Sequence, residues 1–494
     1  MSNAPAAVPL RRRVDRTMLR WEARLETETG DRFIPFVVAG ALGGLLAWLA
    51  LARLDAYDTG ADLAGYAQAL WLLGEGNRPE ITVFGGIHLL ELHWALILYP
   101  ITPLALVLDP LRVLVVVQAA ALGLAVLPLW KLAREVCQLR VGAAIVLVLA
   151  YAVHPATWQL GTVEFHPESL AVPGLVAVLY AGAARRWGWY WPAVAFVLAC
   201  RADLGLAIAA YGFLLLSDGE RRAGLWSLGT GLFWSLSLLL VVQPLVGDAE
   251  FAGGQYADYG GSLAEVALTM VRHPDTVLAD LAAEGNVVLV VGLLAPVIFL
   301  PLLAIRHLLP ALPLLALYLL ADRVDASATA ERSALLLAFV MGASAFALER
   351  VGDMGVDRVF VDGRIQAAVL LASSLFFLTQ SPTSPYRQPW QWEPGPADQA
   401  VTEAVARLGP EVAVRASPSA LVALAERPWL YELDPERALT APAASARARA
   451  VLVVTEDHPG LDEDRLVQLT TGLSQLGYEV TYRSEAGVTL YERP

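Results

Sequence analysis

Three carboxylates follow the first apolar run of this chain, at Asp55, Asp58 and Asp62. A carboxylate beside a membrane can act as general base on an acceptor hydroxyl, or bind a divalent cation together with the imidazoles of His88 and His93. Asp55 and Asp58 are better explained as solvated loop acids, although Asp58 stays a candidate substrate-binding group. For Asp62, catalysis and capping of the following helix are equally good explanations.

Polar and apolar groups alternate beyond Asp62, with Tyr66, Gln68 and Trp71 as the larger side chains. This pattern predicts an amphipathic helix lying in the membrane interface. Gln68 and Trp71 are therefore candidate substrate-binding residues next to Asp62.

A compact polar segment, Glu164-Phe165-His166-Pro167-Glu168, separates two later apolar runs. Unpaired charge beside lipid is costly, so charged groups there often have a function. Pro167 and Glu168 are also typical of a helix N-terminus, which explains Glu168 without a binding role. That alternative does not explain Glu164 or His166, which we predict to be catalytic, with Glu168 as a substrate-binding candidate.

Two further outer positions carry candidate binding groups. Arg201 and Asp203 lie between two short apolar runs, where an arginine can bind the phosphate of a lipid-linked substrate. A purely structural Arg201–Asp203 pair is nearly as good an explanation. Tyr256, in a long loop, could stack on a sugar or anchor the loop in the membrane interface.

The composition defines the class of protein. The chain has 494 residues, of which 56% are hydrophobic and 17% charged, and a formal net charge of −13. Soluble proteins carry about 25% charged residues, so this chain belongs in the lipid bilayer. Its acidity argues against binding nucleic acid. No phosphate-binding glycine loop, HExxH motif or serine elbow occurs, which disfavours ATP-driven work and soluble-type hydrolysis.

Apolar runs of membrane-spanning length predict a mainly α, polytopic transmembrane helical bundle of about eleven spans. The predicted spans cover residues 33–52, 111–130, 141–160, 169–184, 189–200, 204–217, 223–243, 287–305, 308–321, 333–348 and 365–380. The run 88–108 is broken by charges and prolines, so we predict an interfacial or re-entrant segment there.

The distribution of arginines indicates which ends of the spans face the cytoplasm. The basic residues 1–32 begin without a cleavable signal peptide and should stay in the cytoplasm. An odd number of spans then places the outer loop 53–110 and the C-terminus outside the plasma membrane.

Residues 381–400 are a proline-rich, extended linker. Residues 401–494 form a small extracytoplasmic α/β domain, with strands at 411–417 and 450–455, a helix at 466–476 and a hairpin over 478–491.

The order of these motifs resembles the bacterial membrane-protein family called domain of unknown function 2079. The resemblance rests on Asp62-Leu63-Ala64 with Gln68-Ala69-Leu70-Trp71, on His93, on Phe165-His166-Pro167-Glu168, and on Arg201-Ala202-Asp203 in place of a Lys-Glu-Asp triplet. That family is in turn similar to the GT-C membrane glycosyltransferases, which use polyprenyl-phosphate sugars and sometimes a divalent metal.

The resemblance implies a GT-C-like core that transfers a sugar from a polyprenyl-phosphate donor to a cell-envelope acceptor. It implies Asp62 as base or metal ligand, with His93 as a second ligand for Mg²⁺ or Mn²⁺, and Arg201 as the donor-phosphate contact. The chain departs from the family pattern at Ala64, at Ala202 and at Glu331-Arg332. Two alternatives stay open: a non-catalytic scaffold or binding protein of the same fold, and a lipid or solute transporter, which the lack of an internal repeat disfavours.

Overall fold

The computed structural model describes residues 24–92, 94–162, 164–242, 256–261, 263–321, 335–355, 358–387, 390, 392–434, 448–458 and 463–493. Helices dominate this part of the chain. In chain order they are α1 Glu28–Asp55, α2 Ala61–Gly74, α3 Leu89–Leu92, α4 Leu98–Ala105, α5 Pro110–Val136, α6 Val141–Ala152, α7 Pro155–Thr162, α8 Pro167–Ala183, α9 Trp187–Cys200, α10 Leu204–Ser217, α11 Arg221–Val242, α12 Leu263–Arg272, α13 Pro274–Leu281, α14 Glu284–Val297, α15 Leu300–Leu320, α16 Leu337–Val351, α17 Gly363–Gln380, α18 Pro396–Val405, α19 Pro418–Leu421 and α20 Glu463–Gln475.

The long apolar helices confirm a membrane protein. Among the described residues, α1, α5, α11 and α15 are each long and apolar enough to cross a bilayer. The bent pairs α6–α7 and α13–α14 raise that number to six if each pair is one span. Helices α8, α9 and α10 are apolar but shorter. The count of about eleven spans and the orientation of the termini stay predictions.

The bend between α6 and α7 is fixed by His154, a buried residue that lies between them. Its Nδ1 accepts a hydrogen bond from the Ala156 N–H at 3.1 Å, and its Nε2 lies 3.1 Å from the Leu293 carbonyl oxygen of α14. Both ring nitrogens are therefore occupied by backbone groups. Because Leu293 belongs to the other bent pair, His154 joins the two broken helices.

The sequence predicted that the segment 88–108 is not a single spanning helix, and the structure agrees. Its described residues form the short helices α3 and α4, which are separated by a break with left-handed backbone at Trp94 (φ 58°). The Ile97 N–H donates to the Ala199 carbonyl oxygen at the end of α9, at 2.9 Å. This contact seats the segment against the end of the bundle where α9 stops.

Four short strands pair within the membrane-associated part, β1 Glu80–Ile81 with β2 Ile87–His88, and β3 Asp353–Met354 with β4 Val359–Phe360. The C-terminal residues form a five-stranded sheet from β5 Val414–Ala416, β6 Leu430–Glu432, β7 Ala450–Val454, β8 Glu479–Arg483 and β9 Val488–Glu492. The strand order is β6-β5-β7-β9-β8, with β5 parallel to both β6 and β7. The sequence predicted β5, β7 and the β8–β9 hairpin but missed the short edge strand β6.

The linker prediction is wrong at its C-terminal end. Helix α18 begins at Pro396, inside the range 381–400 that was predicted to be extended. Proline suits the first turn of a helix because it has no N–H to leave unpaired there. The Asp398 carboxylate also accepts the Gly395 N–H at 2.6 Å, which completes the helix start.

The preceding part of the linker packs on the helical core. The Trp390 ring stacks on Trp158 of α7 with 5.9 Å between ring centroids, and meets Trp48 of α1 edge-on at 6.4 Å. Its indole N–H donates to the Thr383 carbonyl oxygen at 2.7 Å. Aromatic contacts of this kind contribute to stability beyond the area they cover. The linker is therefore anchored on the helical core through Trp390.

Helices α10 and α11 touch through glycines. A Cβ atom on Gly231 would collide with the Gly205 carbonyl oxygen and lie 2.6 Å from the Ala209 nitrogen. A Cβ on Gly212 would lie 2.5 Å from the Leu228 nitrogen. Small residues of this kind let membrane helices approach backbone to backbone.

Gly231→Leu is therefore expected to separate α10 from α11. Forcing a large side chain into a packed contact costs about 1–3 kcal/mol. Gly229→Leu is the matched control, because a Cβ at Gly229 of the same helix meets nothing within 4 Å. Thermal unfolding of the purified variants in detergent measures the difference. Equal midpoints for the two variants would contradict the close contact.

Candidate functional site

The N-terminus of α2 is built jointly by Gly60 and Glu164. Gly60 is the N-cap residue and its backbone is extended (φ −102°). The Glu164 carboxylate accepts the Asp62 N–H at 3.0 Å, and so satisfies one of the first N–H groups of the helix. Asp62 is the second residue of α2 and not its cap, which excludes the capping explanation for its side chain. Glu164 therefore holds the helix that carries Asp62, and its predicted catalytic role stays a prediction.

Gly60→Ala is expected to displace Glu164 from α2. A Cβ at Gly60 would overlap the Glu164 carboxylate, while the backbone angles of Gly60 suit any residue, so the effect is steric. Loss of a helix cap costs about 0.5–2 kcal/mol. Gly44→Ala in α1 is the control, because a Cβ there meets nothing within 4 Å. Thermal unfolding that ranks the two variants equally would count against this cap.

Asp62 and His166 lie side by side at the start of α2. The Asp62 Oδ2 is 3.8 Å from the His166 Nδ1, and the Asp62 side chain is 45% exposed against 9% for His166. The Asp62 carboxylate can therefore be reached from outside the protein, while the His166 imidazole lies against it from within. The sequence predicted both residues as catalytic, and the structure brings them together.

The segment that carries His166 is fixed by Gln118, which the sequence analysis missed. Gln118 is buried in the middle of α5. Its Nε2 donates to the Glu164 carbonyl oxygen at 2.8 Å, and its Oε1 accepts the His166 N–H at 3.0 Å. The Ser169 hydroxyl lies 2.8 Å from the same Oε1. One glutamine thus sets the positions of Glu164 and His166.

Arg201 lies in a buried ion cluster. Its Nη1 donates to Glu168 Oε1 at 2.7 Å, and its Nε lies 3.0 Å from Asp203 Oδ1. The Tyr318 hydroxyl of α15 donates to Asp203 Oδ2 at 3.0 Å, and the Arg201 guanidinium lies over the Tyr318 ring. One guanidinium here faces two carboxylates. This arrangement favours the structural alternative for Arg201 over a contact with a donor phosphate.

Tyr66 connects the two halves of the site. It lies one turn after Asp62 on α2, is buried, and packs edge-on against Phe165 with 5.4 Å between ring centroids. Burial raises the pKa of its hydroxyl, the carboxylates of Glu168 and Asp62 raise that pKa further, and Arg201 opposes them. All of these groups therefore lie within electrostatic reach of one phenol. We call the set Asp62, Tyr66, Glu164, His166, Glu168 and Arg201 the rim cluster.

Helix α2 is not an exposed amphipathic helix, contrary to the prediction. Every residue from Leu63 to Leu70 is buried, while Trp71 is half-buried. Helices α4 and α5 pack on it, and so do α19 and the turn Val422–Leu424 of the C-terminal domain, so the helix has no exposed face. Sequence periodicity near the cluster could not reveal this long-range cover.

Gln68 has a structural role on this covered face. Its Nε2 donates to Thr82 Oγ1 at 2.8 Å and to the Arg427 carbonyl oxygen at 3.0 Å, while its Oε1 accepts the Thr82 N–H at 3.0 Å. Thr82 Oγ1 in turn accepts the Leu430 N–H at 2.9 Å. We call this group the Gln68 latch. Gln68 is buried and joins the two domains, and its predicted role in substrate binding stays a prediction.

Other predicted residues lie away from the rim cluster. The Asp58 carboxylate pairs with Arg53 Nε at 2.9 Å, as a structural contact at the end of α1. The Tyr256 hydroxyl donates to the Leu317 carbonyl oxygen, next to Tyr318, at 3.1 Å. His93 and the Glu331-Arg332 pair lie outside the described residues.

The described part of the chain contains no group of three His, Cys, Asp or Glu side chains arranged for a metal. Binding of Mg²⁺ or Mn²⁺ by Asp62 and His93 stays a prediction.

A family model supports the sequence resemblance. The model described as "Predicted membrane protein (DUF2079)" matches residues 53–468, which include every residue of the rim cluster. No curated protein matches the sequence significantly.

Three solved structures are similar to this chain at low sequence identity. ArnT from Cupriavidus metallidurans, bound to undecaprenyl phosphate, superposes with a TM-score of 0.53 at 12% identity, covering 94% of this chain and 98% of that one. Its apo form gives 0.52 at 12% identity, with coverages of 92% and 97%. The Archaeoglobus fulgidus oligosaccharyltransferase gives 0.39 at 14% identity, covering 92% of this chain and 74% of that one. The ArnT similarity shows a shared overall fold.

Proposed function

Because the chain belongs to the DUF2079 family of membrane proteins and has the overall fold of ArnT, we propose that it is a GT-C-like membrane glycosyltransferase. The observation that carries the proposal is the reachable Asp62 carboxylate beside the buried His166, at the end of a helix that Glu164 holds. The proposed donor is a polyprenyl-phosphate sugar, in keeping with the undecaprenyl phosphate bound by ArnT. The proposed acceptor is a hydroxyl group of the cell envelope, outside the plasma membrane.

In the proposed reaction, the acceptor oxygen attacks the anomeric carbon of the donor sugar. The bond from that carbon to the phosphate oxygen breaks, and its electron pair leaves with the polyprenyl phosphate. The Asp62 carboxylate takes the proton of the acceptor hydroxyl, a general-base step that contributes typically 10²–10⁴-fold in rate. The His166 imidazole supports the carboxylate from 3.8 Å, and Gln118 fixes the backbone of His166 by accepting its N–H.

The proposal gives Arg201 a positioning role. Its guanidinium already pairs with the carboxylates of Glu168 and Asp203, at N···O distances of 2.7 and 3.0 Å. Since Glu168 follows His166 in the same turn, the ion pair holds the His166 segment against the end of α9. No step of the proposed reaction depends on a divalent cation. Whether sugar transfer requires one is measured by adding a chelator.

Lipid analysis tests this function. Lipids extracted from the purified protein are analysed by mass spectrometry, and undecaprenyl phosphate is added to the delipidated protein for native mass spectrometry. We expect a co-purifying polyprenyl-phosphate sugar and saturable binding of undecaprenyl phosphate. A scaffold protein would bind without converting a bound donor to polyprenyl phosphate when acceptor-bearing membranes are added. Absence of both the co-purifying lipid and the binding would overturn the proposal.

A further inference from the structure

Helices α12 and α13 carry apolar side chains on the surface of the protein. In α12, Val271 is 79% exposed and Leu268 is also exposed. In α13, Leu278 is 66% exposed, and none of the eight residues of this fully described helix is buried. Apolar groups gain free energy when they leave water, so an exposed set of this kind marks a surface that a partner covers.

The residue types of α12 divide the helix into three sides. Successive residues of a helix lie about 100° apart, so the polar residues fall on one narrow strip. They are Glu265, Thr269 and Arg272. Val266 lies on one side of this strip and is buried against the protein, while Leu268 and Val271 lie on the other side and are exposed. A second apolar side, away from the protein, is typical of a helix at the membrane interface, where that side meets acyl chains and the polar strip meets water.

The chain runs from this surface directly into a lipid-facing helix. Helices α13 and α14 are together long and apolar enough to cross a bilayer, with a bend of 53° between them. Val287, Val288 and Val291 of α14 are exposed, as the lipid-facing residues of a span are. The exposed apolar residues of α13 therefore belong to the same chain segment as a lipid-facing surface, and the bilayer can cover them without another protein.

The position of α13 is fixed against the end of α15. Asn286, buried at the start of α14, donates from its Nδ2 to the Leu319 carbonyl oxygen at 2.9 Å and to the Asp280 carbonyl oxygen of α13 at 2.7 Å. The residue before Leu319 is Tyr318, whose hydroxyl donates to Asp203 Oδ2 at 3.0 Å. The last turn of α15 therefore joins α13 to the buried ion cluster to which Asp203 belongs.

We propose that α12 and α13 form an interfacial anchor, whose exposed apolar side lies among the acyl chains of the bilayer leaflet nearest the rim cluster. The partner is the phospholipid itself, and not a protein or a second copy of this chain. Because the last turn of α15 joins α13 to Asp203, the anchor sets the depth of the rim cluster relative to the membrane surface. The inference concerns the seating of the protein in lipid and does not depend on sugar transfer.

Fluorescence quenching in nanodiscs tests the anchor. Val271→Cys and Leu278→Cys are each made in the full chain and labelled with the fluorophore NBD through the new thiol. The native thiols, Cys137 and Cys200, are both buried, which directs the label to the introduced cysteine. Phospholipids with a nitroxide near the top of the acyl chain quench from within the bilayer, and iodide quenches from water. Interfacial helices bury their apolar face about 5–10 Å into the boundary between head groups and acyl chains, so we expect about two-fold or greater loss of fluorescence with the nitroxide lipid and little loss with iodide.

Two labelled variants are the matched controls. Arg272→Cys places the label on the polar strip of α12, one residue after Val271, and we expect iodide to quench it more strongly than the nitroxide lipid does. Val467→Cys places the label on an apolar residue of α20 in the C-terminal domain that is 60% exposed, and we expect quenching by iodide only. Leu268→Cys repeats the test on the same side of α12 if Val271→Cys fails to fold. Thermal unfolding confirms that each labelled protein keeps the wild-type stability.

The quenching pattern decides the inference. Quenching of the Val271 and Leu278 labels by the nitroxide lipid, with the Arg272 and Val467 labels quenched by iodide, supports the anchor. Quenching of all four labels by iodide alone would place α12 and α13 in water and overturn the proposal. Protection of the Val271 and Leu278 labels from both quenchers would show that protein covers this face, and would overturn it as well. Neither donor binding nor sugar transfer enters these measurements, so failure of the proposed function leaves the test unaffected.

Discussion

Asp62→Asn is expected to lower the rate of sugar transfer by at least about 100-fold while leaving expression and unfolding temperature unchanged, because the amide cannot take the acceptor proton. The substitution keeps the size of the side chain, and the Asp62 N–H still donates to Glu164. The measurement is conversion of the co-purifying donor to polyprenyl phosphate in acceptor-bearing membranes. The variant should bind the donor as well as the wild type, so that donor persists in its lipid extract.

Asp55→Asn is the matched control for this experiment. Asp55 belongs to the same acidic segment, but its carboxylate pairs with Arg112 at 2.6 Å and both side chains are about half exposed. Removing such a surface pair changes stability by about 0–1 kcal/mol and should leave transfer intact. If Asp62→Asn transfers sugar at the wild-type rate, Asp62 is not the base, whatever the fate of the donor proposal.

Arg201→Ala is expected to destabilise the folded protein by about 3–5 kcal/mol, because it leaves buried carboxylates without their partner. The side chains of Arg201 and Glu168 are only 8% and 4% exposed. Arg112→Ala, at the exposed pair, is the control and should cost no more than about 1 kcal/mol. Unfolding in a denaturing detergent series measures both free energies.

A second variant separates a buried charge from a simple packing loss. Arg201→Met combined with Glu168→Gln removes the cation together with one anion, while Asp203 keeps the hydrogen bond from Tyr318. Replacing a buried ion pair by groups of similar volume is often close to neutral. We therefore expect the double variant to recover much of the loss. If the double variant is as unstable as Arg201→Ala, the charge that Glu168 keeps in Arg201→Ala does not explain the loss of stability.

The apolar helices could be predicted from the sequence because a bilayer requires long runs without charge. Asp62, His166 and Glu168 could also be selected as candidates from the sequence, since charged groups beside such runs are costly and often have a function. Gln118 also carries a signal in the sequence, because it is an amide in the middle of an otherwise apolar run. Intramembrane polar groups usually bond to another part of the protein, and Gln118 binds the Glu164–Ser169 segment.

The contacts between the two domains were beyond sequence reasoning. Gln68 bonds to Arg427, and Thr82 to Leu430, across separations of 359 and 348 residues. Neither periodicity nor a local motif reports on pairs so far apart, so α2 was expected at the membrane surface. Strand β6 was missed for the same reason, since it is three residues long and its position depends on Thr82.

The glycine contacts between α10 and α11 limit the routes open to the tail of the proposed polyprenyl-phosphate donor. Backbone atoms of the two helices meet at Gly205 and Gly231 and again at Gly212 and Gly224, and Ser235 of α11 donates to the Ala202 carbonyl oxygen just before α10. A seam in which even an added Cβ atom would collide leaves no room for a methyl-branched chain. If the proposed polyprenyl-phosphate donor binds at the rim cluster, we therefore expect its tail to enter the bilayer past another pair of helices.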